Sequence, residues 1–181
     1  MDIAIYGGSF DPFHIGHEKI IDLSLKRLPI DKLFIVPTFL NPFKTISYFD
    51  ANTRLELIKD LYKNNKNIEI IKYEIQQQRK VPTYETIQYL RKQYNIEKIF
   101  LIIGADVLKD LHLWYNFKNL KELVRFVVIN RYNIKLKNNY IDPIYIEFNE
   151  DISSSSLRET KELKYIPKKI QNKVKELWKI E

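Results

Sequence analysis

Hydrophobic and polar positions alternate along the chain with two different periods. Short runs rich in Ile, Val and Phe predict β-strands, and longer stretches with apolar residues every three or four positions predict helices between them. The predicted strands cover residues 3–6, 32–37, 68–73, 98–104, 125–130 and 143–148. The predicted helices cover residues 14–28, 50–63, 83–94 and 107–123. Strands and helices that take turns in this way predict an α/β fold with a doubly wound, mainly parallel sheet.

The C-terminal stretch from residue 161 to residue 179 is rich in lysine, but its apolar residues keep helical spacing. Those residues are Ile166, Ile170, Val174 and Leu177. A helix that packs on the core with a solvated lysine face has this pattern. We therefore predict C-terminal helices over about 155–179, packed on a single domain that spans residues 1–181, since a chain of this length can build one well-buried core.

Charge and composition narrow the possible partners. The net charge is +7, which a nucleic-acid partner would favour, but the basic residues are scattered among 23 acidic ones. A small anionic substrate accounts for a local positive excess equally well. The chain has no cysteine, its longest apolar run is too short for a membrane span, and it opens with no signal-peptide pattern. We expect a cytoplasmic protein with small-molecule partners, without nucleic acid or membrane; the sequence leaves the oligomeric state open.

Residues 7–17 read GGSFDPFHIGH and hold three of the 4 glycines and two of the 3 histidines. They follow the first predicted strand, and ligands of parallel sheets bind beyond the carboxyl ends of the strands. Gly7 and Gly8 let backbone amides approach an anion closely. His14 and His17, three residues apart at a helix start, can donate hydrogen bonds to phosphate oxygens, and the glycine between them leaves space for a ligand.

Two other interpretations fit parts of this stretch. A tight strand-to-helix turn with surface histidines, or a metal site, would each account for an HxxH pair alone. Two histidines without cysteine are fewer ligands than a protein metal site usually has. The glycine spacing does not match GxGxxG, so the dinucleotide-binding fingerprint is absent. The complete eleven-residue string favours a phosphate site, and we predict no metal site.

A second anion site is predicted near the C-terminus, where residues 151–160 read DISSSSLRET. Serine hydroxyls are good helix N-caps, and the free amides at a helix start can hold a phosphate that Arg158 neutralises. Serine runs cap helices in many proteins, so this signal is weak by itself. Together with the first site, it predicts a polyphosphate that is gripped from two sides.

These motifs resemble those of a known family. GGSFDPFHIGH resembles the HxGH signature of the nucleotidyltransferase superfamily, and ISSSSLR at 152–158 resembles its ISSTxxR motif. The closer likeness is to bacterial nicotinate-mononucleotide adenylyltransferases and covers nearly the whole chain, through the segments VPTFLNPFK (36–44), VPTYET (81–86), LIIGAD (101–106) and LHLWY (111–115). The resemblance implies a Rossmann-like nucleotidyltransferase fold. It implies that ATP and nicotinate mononucleotide react to give deamido-NAD and pyrophosphate in NAD biosynthesis, with Mg²⁺ carried by ATP.

The resemblance also implies residue roles. The residues that it places on the reacting phosphates are His14, His17, Lys44 and Arg158. The residues that it places around ATP are Gly7, Gly8, Ser9, Phe10, Gly104, Asp106, Ser154 and Ser155, with the aspartate on the ribose hydroxyls. The residues that it places around the mononucleotide are Glu85, Trp114 and Tyr115. In that pocket the indole stacks on the pyridine ring, and the other two residues offer backbone amides to the carboxylate.

Two positions depart from the family pattern. Phe43 stands where many relatives have a histidine that could touch phosphate. Glu85 stands where the usual SYT segment has threonine, and its side chain would repel nicotinate if it turned inward. Three alternatives stay open at this point. They are nicotinamide mononucleotide as the acceptor, phosphopantetheine as the acceptor, and a basic α/β module that binds RNA without catalysis.

Overall fold

The structure, a computed structural model, describes residues 1–41, 45–131, 139–148 and 152–180. Within these ranges one sheet has the strands β1 (Asp2–Gly8), β2 (Lys32–Pro37), β3 (Ile68–Ile70), β4 (Lys98–Gly104), β5 (Arg125–Arg131) and β6 (Ile144–Phe148). The strand order is β3-β2-β1-β4-β5-β6, and all neighbouring pairs are parallel. The predicted doubly wound sheet is confirmed.

Helices connect the strands and cover both faces of the sheet. The α-helices are α1 (Ile15–Arg27), α2 (Ala51–Tyr62), α3 (Tyr73–Gln76), α4 (Thr83–Gln93), α5 (Phe117–Leu123), α6 (Ser154–Thr160) and α7 (Lys168–Leu177). Two 3₁₀ segments are added at Ala105–Leu113 and Leu163–Tyr165. None of the helices in the described ranges is long and apolar enough to cross a membrane.

The core has two layers because successive side chains of a strand point to opposite faces of the sheet. In β1, Ala4 and Tyr6 pack with α1, α2 and the C-terminal helices, whereas Ile3 and Ile5 pack with α4, α5 and the longer 3₁₀ segment. The β-branched runs of the sequence therefore fill both layers at once. Continuous apolar runs are expected when both faces of a parallel strand are buried.

The strand order reverses direction between β1 and β4, which are neighbours in the sheet. Chain connections lead outward from this point to both edges, so the loops after these two strands diverge and leave a crevice at their carboxyl ends. GGSFDPFHIGH begins in the last two residues of β1, and Gly104 ends β4. The fold thus places the predicted phosphate loop at its ligand-binding edge.

Two predicted elements differ from the structure. The predicted strand 68–73 stops at Ile70, and the chain then turns into the short helix α3. The predicted helix 107–123 is divided into the 3₁₀ segment Ala105–Leu113 and α5, because Asn116 adopts a left-handed conformation with φ 53°. Apolar periodicity runs through that break and does not reveal it.

The C-terminal helix α7 starts later than its apolar pattern suggests. Pro167 is its N-cap, and a residue that precedes proline is disfavoured in the helical region, which leaves Ile166 extended. Ile170 and Val174 are buried as expected. Leu177 is 37% exposed, and Trp178 takes the next buried place on the same stripe, four residues after Val174.

Candidate functional site

The two histidines of GGSFDPFHIGH lie against each other at the start of α1. His14 is the N-cap, and its backbone N–H donates to Nδ1 of His17 at 3.2 Å, while the backbone N–H of His17 donates to the carbonyl of His14 at 2.9 Å. The two imidazoles stack with 3.7 Å between ring centroids. His14 is buried and His17 is half-buried. The predicted pairing of the two rings on one side of the first turn is confirmed.

Aromatic rings hold His17 from three further directions. The ring centroids of Phe10, Phe13 and Tyr6 lie 5.0, 5.2 and 6.2 Å from its own. Phe10 is buried although its φ is 49°, a left-handed conformation that is uncommon for a bulky residue. Strained backbone of this kind persists where the surrounding structure over-determines it. The imidazole is therefore fixed in orientation by packing.

The glycines of the motif have different reasons to be small. A Cβ on Gly16 would lie 2.9 Å from Nδ1 of His14, so the space there is taken by the imidazole. This corrects the expectation that this glycine leaves room for a ligand. A Cβ on Gly8 would lie 3.1 Å from the ring of Phe10. A Cβ on Gly7 would lie 3.9 Å from the carbonyl oxygen of Val36, an ordinary contact distance, so no neighbouring atom requires a glycine there.

Helix α6 brings the second predicted anion site onto the first. The guanidinium of Arg158 donates to the carbonyl of Asp11 at 2.8 Å and to the hydroxyl of Ser155 at 2.9 Å. The hydroxyl of Ser154 donates to the carbonyl of Pro12 at 3.1 Å. Segments that are more than 140 residues apart in sequence thus share one edge of the sheet.

The carboxylate of Asp11 ties the loop to the segment that precedes α2. Asp11 is 2% exposed, and its two oxygens accept hydrogen bonds from the backbone N–H groups of Tyr48 and Phe49 at 2.7 and 2.8 Å. Hydrogen bonds to a carboxylate are among the stronger ones in proteins. The residues that follow NPFK are therefore anchored to the phosphate loop.

Arg54 of α2 holds the same region through hydrogen bonds to three backbone carbonyls. It is fully buried and donates to the carbonyls of Ser9, Phe39 and Phe49. Burial lowers the pKa of this guanidinium, and the negative charges of Asp11 and Asp50 oppose that shift. One side chain thus joins the loop after β1, the loop after β2 and the start of α2.

A cavity of about 380 Å³ opens on the other side of the β1 carboxyl end. Gly7, Gly8 and Gly104 line it with backbone, and Trp114 and Tyr115 line it with aromatic rings. Most of the remaining wall is apolar and comes from strands β1, β2 and β4, from helix α4 and from the segment that precedes this helix. Examples are Ile5, Val36, Val81, Ile87, Leu101 and Ile103. A concave apolar site of this size suits a planar ring or a small nucleotide.

A buried carboxyl interrupts this apolar wall. Glu74 of α3 is 6% exposed and lines the cavity, and the hydroxyl of Thr86 on α4 donates to its Oε1 at 2.7 Å. Burial raises the pKa of Glu74 to about 7, although the bond from Thr86 opposes the shift. The carboxyl is therefore poised to gain or lose a proton near neutral pH.

Comparisons with known proteins identify the family. The cytidylyltransferase-like family matches residues 5–160. A protein of Sulfurimonas denitrificans named "Probable nicotinate-nucleotide adenylyltransferase" is 44% identical over 179 residues, which is 99% of this chain and 96% of that protein. One of the same name from Campylobacter jejuni is 42% identical over 178 residues, 98% of this chain and 97% of that protein. The chain belongs to the nicotinate-nucleotide adenylyltransferases, within the cytidylyltransferase-like family.

A solved structure supports the fold. The Plasmodium falciparum nicotinic acid mononucleotide adenylyltransferase complexed with NaAD matches with a TM-score of 0.74 at 24% identity, over 99% of this chain and 96% of that one. At this low identity, the likeness shows that the two chains share a fold. The predicted Rossmann-like architecture and the predicted family are both confirmed.

The structure sorts the predicted site residues of this adenylyltransferase into two groups. Those gathered around the phosphate loop are His14, His17, Ser9, Phe10, Ser154, Ser155 and Arg158. Those that line the cavity are Gly7, Gly8, Gly104, Trp114 and Tyr115. The carboxylate of Asp106 folds back over Gly104, where an added Cβ would overlap its Oδ1. Lys44 and the departure at Phe43 lie outside the described residues.

Glu85 does not line the cavity. Its carboxylate accepts a hydrogen bond from the guanidinium of Arg79 at 2.6 Å, and its backbone N–H donates to the carbonyl of Pro82 at 2.9 Å. The side chain is therefore turned toward Arg79. The Glu85 carboxylate does not point into the cavity, so it would not repel a nicotinate carboxylate bound there. Its role as an amide donor to substrate remains a prediction.

Sequence reasoning missed three residues that hold the loop or line the cavity. Arg54 left a signal, because it occupies a place on the apolar stripe of α2 between Ala51 and Ile58, where a charge needs buried partners. Asp11 lies inside the motif, but nothing in its spacing showed that its carboxylate faces inward. Glu74 left no signal, since the short helix that carries it was not predicted.

Proposed function

We propose that this adenylyltransferase transfers the adenylyl group of ATP to the 5′-phosphate of nicotinate mononucleotide, which gives deamido-NAD and pyrophosphate. The observation that carries the proposal is the position of Gly7 and Gly8 between two sites. The histidine loop lies on one side of them and the aromatic cavity lies on the other. Two nucleotides that bind these sites would meet at the end of β1.

The reaction is a direct in-line displacement. An oxygen of the mononucleotide 5′-phosphate attacks the α-phosphorus of ATP and forms the new P–O–P bridge. The bond from that phosphorus to the oxygen that bridges it to the β-phosphate breaks, and pyrophosphate leaves with the electron pair. A phosphate monoester is largely ionised at neutral pH, so the attack requires no general base.

The enzyme then has to position two polyanions and stabilise the charge that builds on the phosphate oxygens. His14 and His17 are oriented for this role by their mutual stacking and by the aromatic rings around His17. Arg158 adds a guanidinium from α6. We assign the same role to Lys44 from the family resemblance alone.

The acceptor is proposed to occupy the cavity, with its pyridine ring on Trp114. The 3₁₀ segment Ala105–Leu113 ends at this tryptophan and places it opposite the start of α4. Asp106 is proposed to bind ribose hydroxyls at the carboxyl end of β4. Aromatic stacking and one fixed polar contact are enough to orient a small planar ligand.

Magnesium is proposed to arrive with ATP as part of the substrate. The described residues contain no cluster of three or more His, Cys, Asp or Glu side chains that could hold a metal ion. Mg²⁺ commonly keeps several waters and binds through substrate phosphates with few protein ligands. No step of the mechanism is therefore assigned to a metal held by the protein.

The proposal is tested by incubating the purified protein with MgATP and one acceptor, either nicotinate mononucleotide, nicotinamide mononucleotide or phosphopantetheine. Pyrophosphate release gives the rate, and chromatography with mass spectrometry identifies the product. We expect deamido-NAD to form with the highest kcat/KM. Faster turnover of either other acceptor would overturn the substrate assignment, and no turnover with any acceptor would overturn the proposed activity.

A further inference from the structure

The acceptor cavity holds a buried carboxyl to which the reaction assigns no role. Among the described residues that line the cavity, Glu74 is the only acidic side chain. It reaches the cavity from α3, a single turn of helix between β3 and α4. An acidic group at this place is unexpected in a pocket proposed to accept an anionic nicotinate ring, because two carboxylates in a confined apolar space repel each other.

The surroundings of Glu74 leave part of its hydrogen-bonding capacity unused. Its Oε1 accepts from the Thr86 hydroxyl, and in the described part of the chain no other donor reaches the carboxyl. Both residues line the cavity and both are buried. An ordered carboxyl with an unused oxygen in a mostly apolar pocket is the kind of group that fixes the orientation of a ligand.

We propose that Glu74 is a specificity-determining residue of the acceptor pocket. Its protonated carboxyl donates a hydrogen bond to the carboxylate of nicotinate, whereas its ionised form accepts one from the amide of nicotinamide. The inference rests on the proposed function, because it deepens the assignment of this cavity to the pyridine ring.

The hydrogen-bonding groups of the two acceptors decide which form of Glu74 favours which acceptor. The carboxylate of nicotinate can accept a hydrogen bond but cannot donate one, and the amide of nicotinamide can do both. A proton on Glu74 removes the repulsion against nicotinate and supplies the missing donor. The pKa of Glu74, which burial raises to about 7, makes the protonated form accessible at neutral pH.

Other titratable groups line the cavity and contribute to its electrostatic environment. They are Lys80 from the segment before α4, Tyr6 of β1 and Tyr115 after the 3₁₀ segment. Glu85, from the first turn of α4, is paired with Arg79. Glu74 is the only carboxyl among the described residues of the cavity wall, so the change of the acid-to-amide preference with pH is assigned to Glu74, whereas Lys80 adds a positive charge that favours the acid.

The test compares the kcat/KM values for nicotinate and nicotinamide mononucleotides between pH 6 and pH 8.5. Both acceptors carry the same 5′-phosphate, so the titration of that phosphate cancels in the ratio of the two values. In the wild-type enzyme we expect the ratio of acid to amide to fall about tenfold from neutral pH to pH 8, since the acid follows the protonated form of Glu74, the amide follows the ionised form, and the ratio of these two forms falls about tenfold for each pH unit. In Glu74→Gln, which is neutral at every pH, we expect a ratio that does not change with pH.

Two further variants separate this role from a structural one. Thr86→Val removes a hydrogen bond that lowers the pKa of Glu74, so the midpoint of the ratio should move to higher pH. Glu69→Gln is the matched control, because Glu69 is a half-buried glutamate on β3 that binds Lys32 and Tyr94 outside the cavity. We expect this control to follow the wild-type profile.

A wild-type ratio that is flat from pH 6 to pH 8.5, or a Glu74→Gln profile that follows the wild type, would overturn the proposal. Equal losses with both acceptors would also overturn it, since they would place Glu74 against the shared ribose or phosphate. The dissociation constants of the two mononucleotides, measured by calorimetry over the same pH range, give the same ratio without turnover. They test Glu74 even in the case where the proposed activity itself fails.

Discussion

The phosphate loop and the acceptor cavity lie on opposite sides of the same two glycines, yet they are built in opposite ways. The loop is one contiguous stretch whose polar groups are held by neighbours. Its two histidines stack on each other, and the carboxylate of Asp11 accepts a hydrogen bond from a backbone N–H group. Its backbone carbonyls accept hydrogen bonds from Arg54 and Arg158. The cavity is assembled from the ends of strands, α3, α4 and a 3₁₀ segment, and its wall is mostly apolar.

The difference separates two tasks. A reacting phosphate needs hydrogen-bond donors that do not move while charge develops, and we propose that the loop supplies them, since its side chains are already held by hydrogen bonds and packing. A pyridine ring needs shape, stacking and one polar group that distinguishes its substituent, and we propose that the cavity supplies those. Variants in the loop should therefore reduce turnover, whereas variants in the cavity should change which acceptor is used.

The largest expected effect comes from the loop. His17→Ala, and separately His14→Ala, should lower kcat by about 10²- to 10³-fold or more, because each removes one preorganised donor. Steady-state kinetics measure the loss, and circular dichroism checks the fold. His112→Ala is the control, since this third histidine is exposed and stacks on Tyr140 away from the loop. Near-normal turnover in both loop variants would contradict the assignment.

The next effect tests whether the hydrogen bonds of Arg54 stabilise the loop. Arg54→Met keeps the buried volume but leaves the carbonyls of Ser9, Phe39 and Phe49 without a donor. We expect the free energy of unfolding to fall by about 3 kcal/mol in urea titrations. Arg91→Met on the exposed face of α4 should change it by less than about 0.5 kcal/mol. Equal stability of the two variants would show that these hydrogen bonds contribute nothing.

A smaller effect belongs to the cavity and requires no substrate. The folded-state pKa of Glu74 is raised, so the native state binds a proton that the unfolded chain has released, and stability falls as pH rises from about 4.5 to about 7. Glu74→Gln removes this loss. Relative to the wild type, the variant should gain about 2 to 3 kcal/mol of stability between pH 5 and pH 8.

The control for that measurement is Glu122→Gln, which changes an exposed glutamate on α5. Its stability difference from the wild type should stay constant over the same pH range. If Glu74→Gln also stays constant, the carboxyl of Glu74 titrates normally and the chemical basis of its proposed selectivity is lost.

The smallest effect separates the two sites kinetically. Trp114→Ala should raise KM for the mononucleotide about fivefold and leave KM for ATP unchanged, because stacking on an aromatic ring contributes about 1 kcal/mol. Trp178→Phe alters the other tryptophan, which is buried beside α7 away from the cavity, and should change neither KM. A rise in KM for ATP with Trp114→Ala would show that the cavity belongs to the other nucleotide.

The same contrast explains what the sequence revealed. The strands and the phosphate loop were predictable because apolar runs and a contiguous motif are local signals. The 3₁₀ segment and the break at Asn116 were not, since one left-handed residue interrupts a helix without disturbing its apolar period. Glu74 was not predictable either, because a glutamate in a polar stretch becomes a pocket residue only when α3 folds under α4.

Arg54 has a consequence for how the site opens. Its guanidinium fastens segments that follow β1 and β2 to the start of α2, so none of them can detach without breaking bonds to the same side chain. Local opening should then involve these segments together, as one cooperative unit, rather than fraying loop by loop. Amide hydrogen exchange would register this as closely similar protection for the first turns of α1 and α2. The proposed anion site would thereby stay formed between turnovers, but loss of the Arg54 side chain would loosen all of these segments at once.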